Sequence, residues 1–66
     1  MTKKDYIIIA NAMNKIYRSF DTLPEPEIYY KQYVITELVG ELRDIFQADN
    51  EQFNFDKFKA AVYRRS

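Results

Sequence analysis

The fold is decided by residues 26–48, which read PEIYYKQYVITELVGELRDIFQA. Apolar residues recur there at intervals of three and four, the spacing of one face of an α-helix. The predicted core-facing residues are Ile28, Val34, Ile35, Leu38, Val39, Leu42, Ile45 and Phe46. They cover an arc of roughly 140° around the helix axis, so we expect neighbouring segments to pack against it from two sides.

A first helix is predicted over residues 3–20, which contain no proline or glycine. Thr2 and Asp5 have the spacing of a capping box. The predicted core face consists of Tyr6, Ile9, Met13, Ile16, Tyr17 and Phe20. The opposite face is predicted to be exposed and consists of Lys4, Asn11, Asn14 and Arg18, with Ile7 as a single apolar residue among them.

A connector that contains Pro24 and Pro26 joins the first two helices, and a short last helix is predicted over residues 55–64. Asn54 is a favourable residue for capping this helix, and Phe53 and Phe58 have the spacing of a hydrophobic staple across its start. We therefore predict one all-α domain over residues 1–66. It is a small three-helix bundle with a long central helix and a short C-terminal helix.

The composition excludes several classes of function. The 66 residues contain no cysteine, no histidine and one glycine. Disulfides, thiolate chemistry, the commonest general base and a glycine-rich phosphate loop are therefore absent. The longest apolar run, residues 6–10, is too short to span a membrane. We expect no enzymatic activity, no catalytic residue and no cofactor.

Metal binding is also not expected. The stretch after residue 48 superficially resembles half of a calcium-binding loop, but alignment places Phe46 at the first ligand position. Lys57 then stands where a bidentate carboxylate is needed. The acidic residues Glu37, Glu41 and Asp44 share one helix face, and acidic side chains on such a face are usually solvated.

The outer side of the second helix carries the candidate functional residues. We call them the tyrosine–acid face, which consists of Tyr29, Tyr30, Tyr33, Glu37, Gly40, Glu41 and Asp44. Tyrosine is enriched in protein interfaces, where it supplies a large contact area at low entropic cost. The acidic half of the face favours a partner with a basic surface. Alternatively, the tyrosines pack beneath the connector or the chain ends, as partly buried tyrosines often do.

Both ends of the chain resemble a known group of sequences. The matching residues are Lys4, Asp5, Tyr6, Ile9, Ala10 and Ala12 at the start, and Ala48, Asp49, Asn50, Phe53 and 58–62 at the end. They are similar to small uncharacterised helical proteins of bacteriophage genomes, although Glu51 stands where those have proline. The resemblance implies a phage-type accessory protein in the cytoplasm of a bacterial host. It transfers no catalytic or binding residue.

Three functions follow as hypotheses. The first is a non-enzymatic accessory protein that binds a host protein and inhibits an antiviral defence system, since phage proteins of this class often act in that way. The second is a nucleic-acid-binding regulator that uses Lys3, Lys4, Arg64 and Arg65, provided that the two basic chain ends converge. The third is a structural homo-oligomer, such as a homodimer. Ten basic and ten acidic residues give zero net charge, which disfavours nucleic acid as the partner.

Overall fold

The structure is a computed structural model that describes residues 1–65, and it contains three α-helices. They are α1 (Lys3–Ser19), α2 (Glu27–Asp49) and α3 (Phe55–Val62). A turn of 3-10 helix, Phe20–Thr22, follows α1, and the described residues contain no strand. The predicted all-α bundle is therefore confirmed, with helix ends within two residues of those predicted. Ser66, which the predicted domain included, lies outside the described residues.

Local side-chain contacts set the starts of α1 and α3 as predicted. Thr2 accepts a hydrogen bond from the backbone N–H of Asp5, and the Asp5 carboxylate accepts one from the backbone N–H of Thr2. At α3 the Asn54 side-chain oxygen accepts from the backbone N–H of Lys57 at 3.1 Å. These bonds satisfy N–H groups that have no partner within the helix.

The helices run up, down and up. Near the start of α1 the Tyr6 ring lies 4.8 Å from that of Phe53 and 4.9 Å from that of Phe46, between ring centroids. The Tyr6 hydroxyl also donates to the Asp49 carboxylate at 3.0 Å, which joins the start of α1 to the end of α2. Because α3 begins beside this cluster, it runs parallel to α1 and antiparallel to α2.

The hydrophobic core lies between α1, α2 and α3. Its buried residues are Tyr6, Ala10, Met13, Phe20, Ile35, Val39, Phe46, Phe53, Phe58 and Val62. The staple residues Phe53 and Phe58 are both buried, with ring centroids 5.6 Å apart, as the spacing predicts. Within residues 1–65, no helix combines the length and apolar character that crossing a bilayer requires.

Four residues predicted to face the core are instead exposed. Ile16 is 57% exposed, and the corresponding fractions for Val34, Leu38 and Ile45 are 64%, 46% and 57%. The physical reason is the size of α3, whose eight residues cover only one side of the α1–α2 pair. The expectation that neighbours cover the whole apolar arc of α2 was therefore wrong.

The burial of Asn14 also differs from the prediction. This residue was predicted to lie on the exposed polar face of α1 but is only 3% exposed. Its side-chain amide donates to the carbonyl oxygens of Val62 at 2.9 Å and Arg64 at 2.7 Å. A side chain of α1 thus donates hydrogen bonds to backbone carbonyls at the end of α3. Ile7, in contrast, is exposed as predicted.

Candidate functional site

The three tyrosines of the tyrosine–acid face are exposed to solvent. Tyr29, Tyr30 and Tyr33 have exposed fractions of 57%, 69% and 66%. The alternative in which they pack beneath the connector or the chain ends is therefore wrong. Gly40 is half-buried, and a Cβ atom built on it would meet no other atom within 4 Å.

The buried side of α2 determines which way this face points. Ile35, Val39 and Phe46 anchor α2 in the core. In helical projection Tyr33 lies about 120° or more from each of these three residues. Burial of the anchoring residues therefore directs the tyrosines away from α1 and α3, into solvent.

The hydroxyl groups of the tyrosines differ in their partners. The Tyr29 hydroxyl donates to the Glu25 carboxylate at 2.8 Å. This hydrogen bond, together with partial desolvation, raises the pKa of Tyr29 above its ordinary value. Tyr29 is thus a protonated donor at neutral pH whose ring is tethered to the connector. The hydroxyls of Tyr30 and Tyr33 make no hydrogen bond to the described residues, so both can bond to a partner.

The carboxylates give the face a negative charge. Asp44 forms an ion pair with the neighbouring Arg43, whose Nε lies 3.1 Å from the Asp44 oxygen. Glu37 and Glu41 are exposed and form no ion pair within residues 1–65. Two uncompensated carboxylates therefore lie beside the tyrosines, and a basic partner surface would complement them.

The described part of the chain offers no arrangement of metal ligands. No group of three or more histidine, cysteine, aspartate or glutamate side chains within it could hold a metal ion. What the face supplies is aromatic area, hydroxyl donors and negative charge. These are means of binding another molecule.

The basic chain ends lie at opposite ends of the bundle. Lys3, at the start of α1, shares a shallow apolar depression with Lys57 of α3. Arg65 forms an ion pair with Asp21, just beyond the end of α1, and its guanidinium lies 5.1 Å from the centroid of the Tyr17 ring. Since α1 is about 25 Å long at 1.5 Å per residue, the two basic ends do not converge.

The sequence analysis missed an apolar groove between α1 and α2. Its volume is about 360 Å³, and it is lined by Met13, Ile16, Phe20, Lys31, Val34, Ile35 and Leu38. Its apolar residues were predicted to lie in the core. The signal that could have revealed it is the width of the apolar arc on α2, which is more than a third helix of eight residues can cover.

The candidate surfaces are thus the tyrosine–acid face and this groove, both of them formed wholly or partly by α2. No family model matches the chain, and no curated protein or solved structure is significantly similar to it.

Proposed function

We propose that this protein is a non-enzymatic binding module that docks the tyrosine–acid face of α2 on a basic surface of another protein. The observation that carries this proposal is the exposure of three tyrosines within five residues of one helix, beside two carboxylates that form no ion pair with any of residues 1–65. Solvated helix faces ordinarily carry charged and polar residues.

The chemistry of the face suits a binding role. Each tyrosine ring can bury apolar area on a partner while its hydroxyl keeps a hydrogen bond. Glu37 and Glu41 flank the rings, where charges contribute more to the rate of association and to partner choice than to final affinity. In this proposal, Tyr33 is the anchor and the two glutamates steer a basic partner towards it.

The resemblance of the chain ends extends the proposal to a setting. The protein would be a phage-type accessory protein in the cytoplasm of a bacterium, and the partner a host protein. Binding would inhibit that protein, for which a component of an antiviral defence system is the candidate class. This extension rests on two grounds. The first is the resemblance of the chain ends. The second is that an exposed face without catalytic groups supports inhibition by stoichiometric binding to the partner.

Replacement of Tyr33 by alanine tests the proposed face. We expect Tyr33→Ala to change the free energy of unfolding by less than about 1 kcal/mol, because the side chain is exposed. Its affinity for a partner captured from bacterial lysate should fall by about 2 kcal/mol or more, roughly thirtyfold, as for an interface anchor. Calorimetric titration of the purified partner measures this loss.

Charge reversal supplies the matched control. Glu37→Lys should slow association with a basic partner, whereas Glu51→Lys, which reverses an exposed charge in the turn before α3, should leave the rate unchanged. A partner that binds wild type and Tyr33→Ala with equal affinity would show that the tyrosine–acid face is not the binding site.

Nucleic-acid binding is the second candidate, and the separation of the basic ends disfavours it. We expect only weak binding, independent of nucleotide sequence, that disappears as the salt concentration rises from about 50 to about 200 mM through counterion release. Fluorescence anisotropy with labelled DNA and RNA duplexes measures it. Sequence-dependent, submicromolar binding at about 150 mM salt would reverse the order of the two candidates.

A further inference from the structure

The groove between α1 and α2 belongs to a second exposed surface. Val34, Leu38 and Ile45 lie within about 40° of one another in projection around α2, between the core and the tyrosine–acid face. All three are largely exposed, and Ile16 of α1 shares the groove with Val34 and Leu38. Contiguous exposed apolar side chains of this kind mark interaction sites.

The accessible surface of the whole molecule is larger than its mass predicts. It measures 4973 Å², whereas a folded monomer of 8.0 kDa is expected to expose about 4450 Å². The radius of gyration, 12.5 Å, likewise exceeds the roughly 10.8 Å expected for this length. The molecule is therefore more extended than an average monomer of its mass, and the exposed apolar side of α2 is part of its additional surface. A standard interface buries roughly 800 Å² on each partner.

The spacing of residues along α2 indicates what covers this surface. Six residues of α2 follow one another at alternating intervals of three and four. They are Lys31, Val34, Leu38, Glu41, Ile45 and Ala48. This is the heptad spacing by which one helix packs along another. We call this series of residues the seam. Its two charged residues, Lys31 and Glu41, have opposite signs, so the lysine of one copy can pair with the glutamate of another when two copies of α2 meet in antiparallel orientation.

We propose that a second copy of this chain occupies the groove, with the two α2 helices antiparallel about a two-fold axis near Thr36. In this register Val34 of each copy packs against Leu38 of the other. Lys31 of each copy lies opposite Glu41 of the other, and both pairs occur twice because the interface is isologous. Ile16 flanks the seam from α1.

Charge selects this register over its neighbour. A shift of one heptad would place Leu38 against Glu41 and Lys31 against Ala48, so that both charged residues would lose water without gaining a partner of opposite sign. The register centred near Thr36 instead pairs each Glu41 with a lysine. In the proposed register Ile45 lies opposite Glu27 at the start of α2, outside the central Val34–Leu38 contacts.

The proposed register also leaves Tyr29 and Tyr33 open, because they project about 120–160° away from Ile45. The dimer would therefore present Tyr29, Tyr33 and Glu37 of each copy, whereas Glu41 is paired with Lys31 and Tyr30 borders the seam.

Sedimentation equilibrium of the full chain tests the dimer. Over about 10 to 500 μM protein, we expect the apparent mass to rise from 8.0 kDa towards twice that value. Val34→Glu should raise the dissociation constant of the dimer at least about thirtyfold, because it places a carboxylate in each half of the apolar seam. Ile7→Glu is the matched control, since Ile7 is 51% exposed but lies beside α3, and it should leave the dissociation constant unchanged.

A charge swap tests the register. Lys31→Glu and Glu41→Lys should each weaken the dimer about tenfold or more, because each creates two like-charge pairs. The two changes combined should restore the dissociation constant to within about threefold of wild type. A wild-type chain that is monomeric throughout the range, a Val34→Glu variant that dimerises normally, or a charge swap without recovery would overturn the proposal. Circular dichroism shows that each variant remains helical.

Discussion

Phe58→Ala is expected to destabilise the fold by about 3–5 kcal/mol, the usual cost of a large-to-small change in a core. Phe58 is 4% exposed, and its ring centroid lies 5.4 Å from that of Phe46 and 5.6 Å from that of Phe53. Removal of the ring would leave a cavity where α3 meets α2. A chain of this length has a total stability of only about 3–10 kcal/mol, so the variant should be largely unfolded.

Urea denaturation followed by circular dichroism measures this loss. Phe58→Leu retains most of the buried volume, so this variant should still unfold cooperatively, at a lower urea concentration than wild type. Its smaller loss of unfolding free energy therefore remains measurable. Phe55→Ala is the matched control, because Phe55 opens the same helix but is only half-buried. It should cost less than half as much. An unchanged transition for Phe58→Ala would show that this residue does not hold α3 on the bundle.

Asn14→Ala is expected to destabilise the fold by about 2–3 kcal/mol, because it removes the Asn14 donor from the buried carbonyl oxygen of Val62. The Asn14 amide donates to the carbonyls of Val62 and Arg64, which lie at and beyond the end of α3. Val62 is fully buried, so water cannot easily replace the lost donor there. The loss should be concentrated at the end of α3 and appear as faster hydrogen exchange of its amides.

Asn11→Ala provides the comparison. It removes the same side chain from an exposed position of α1, one turn earlier, and should change stability by no more than about 0.5 kcal/mol. If both alanine variants unfold at the same urea concentration, the hydrogen bonds from Asn14 do not stabilise the end of α3.

The candidate site was found from the sequence because its signal is local. Three tyrosines within five residues of a helix project to one side whatever else the chain does, and Ile35 and Val39 fix the opposite side as the core. The groove was not found, because it depends on the absence of a neighbour. Nothing near Val34 or Leu38 in the sequence tells whether α3 reaches them.

The sequence by itself determined where the helices of this protein begin and predicted most of the residues that form its core, although four residues predicted for the core are exposed. Thr2, Asp5 and Asn54 cap helices through bonds to backbone groups within three residues. The intervals of three and four between apolar residues and the staple spacing act over similarly short distances along the chain. Only the tertiary structure decided that Asn14 is buried and that Ile16 is exposed. Both outcomes depend on where the eight-residue α3 lies against α1, and that placement follows from packing among all three helices.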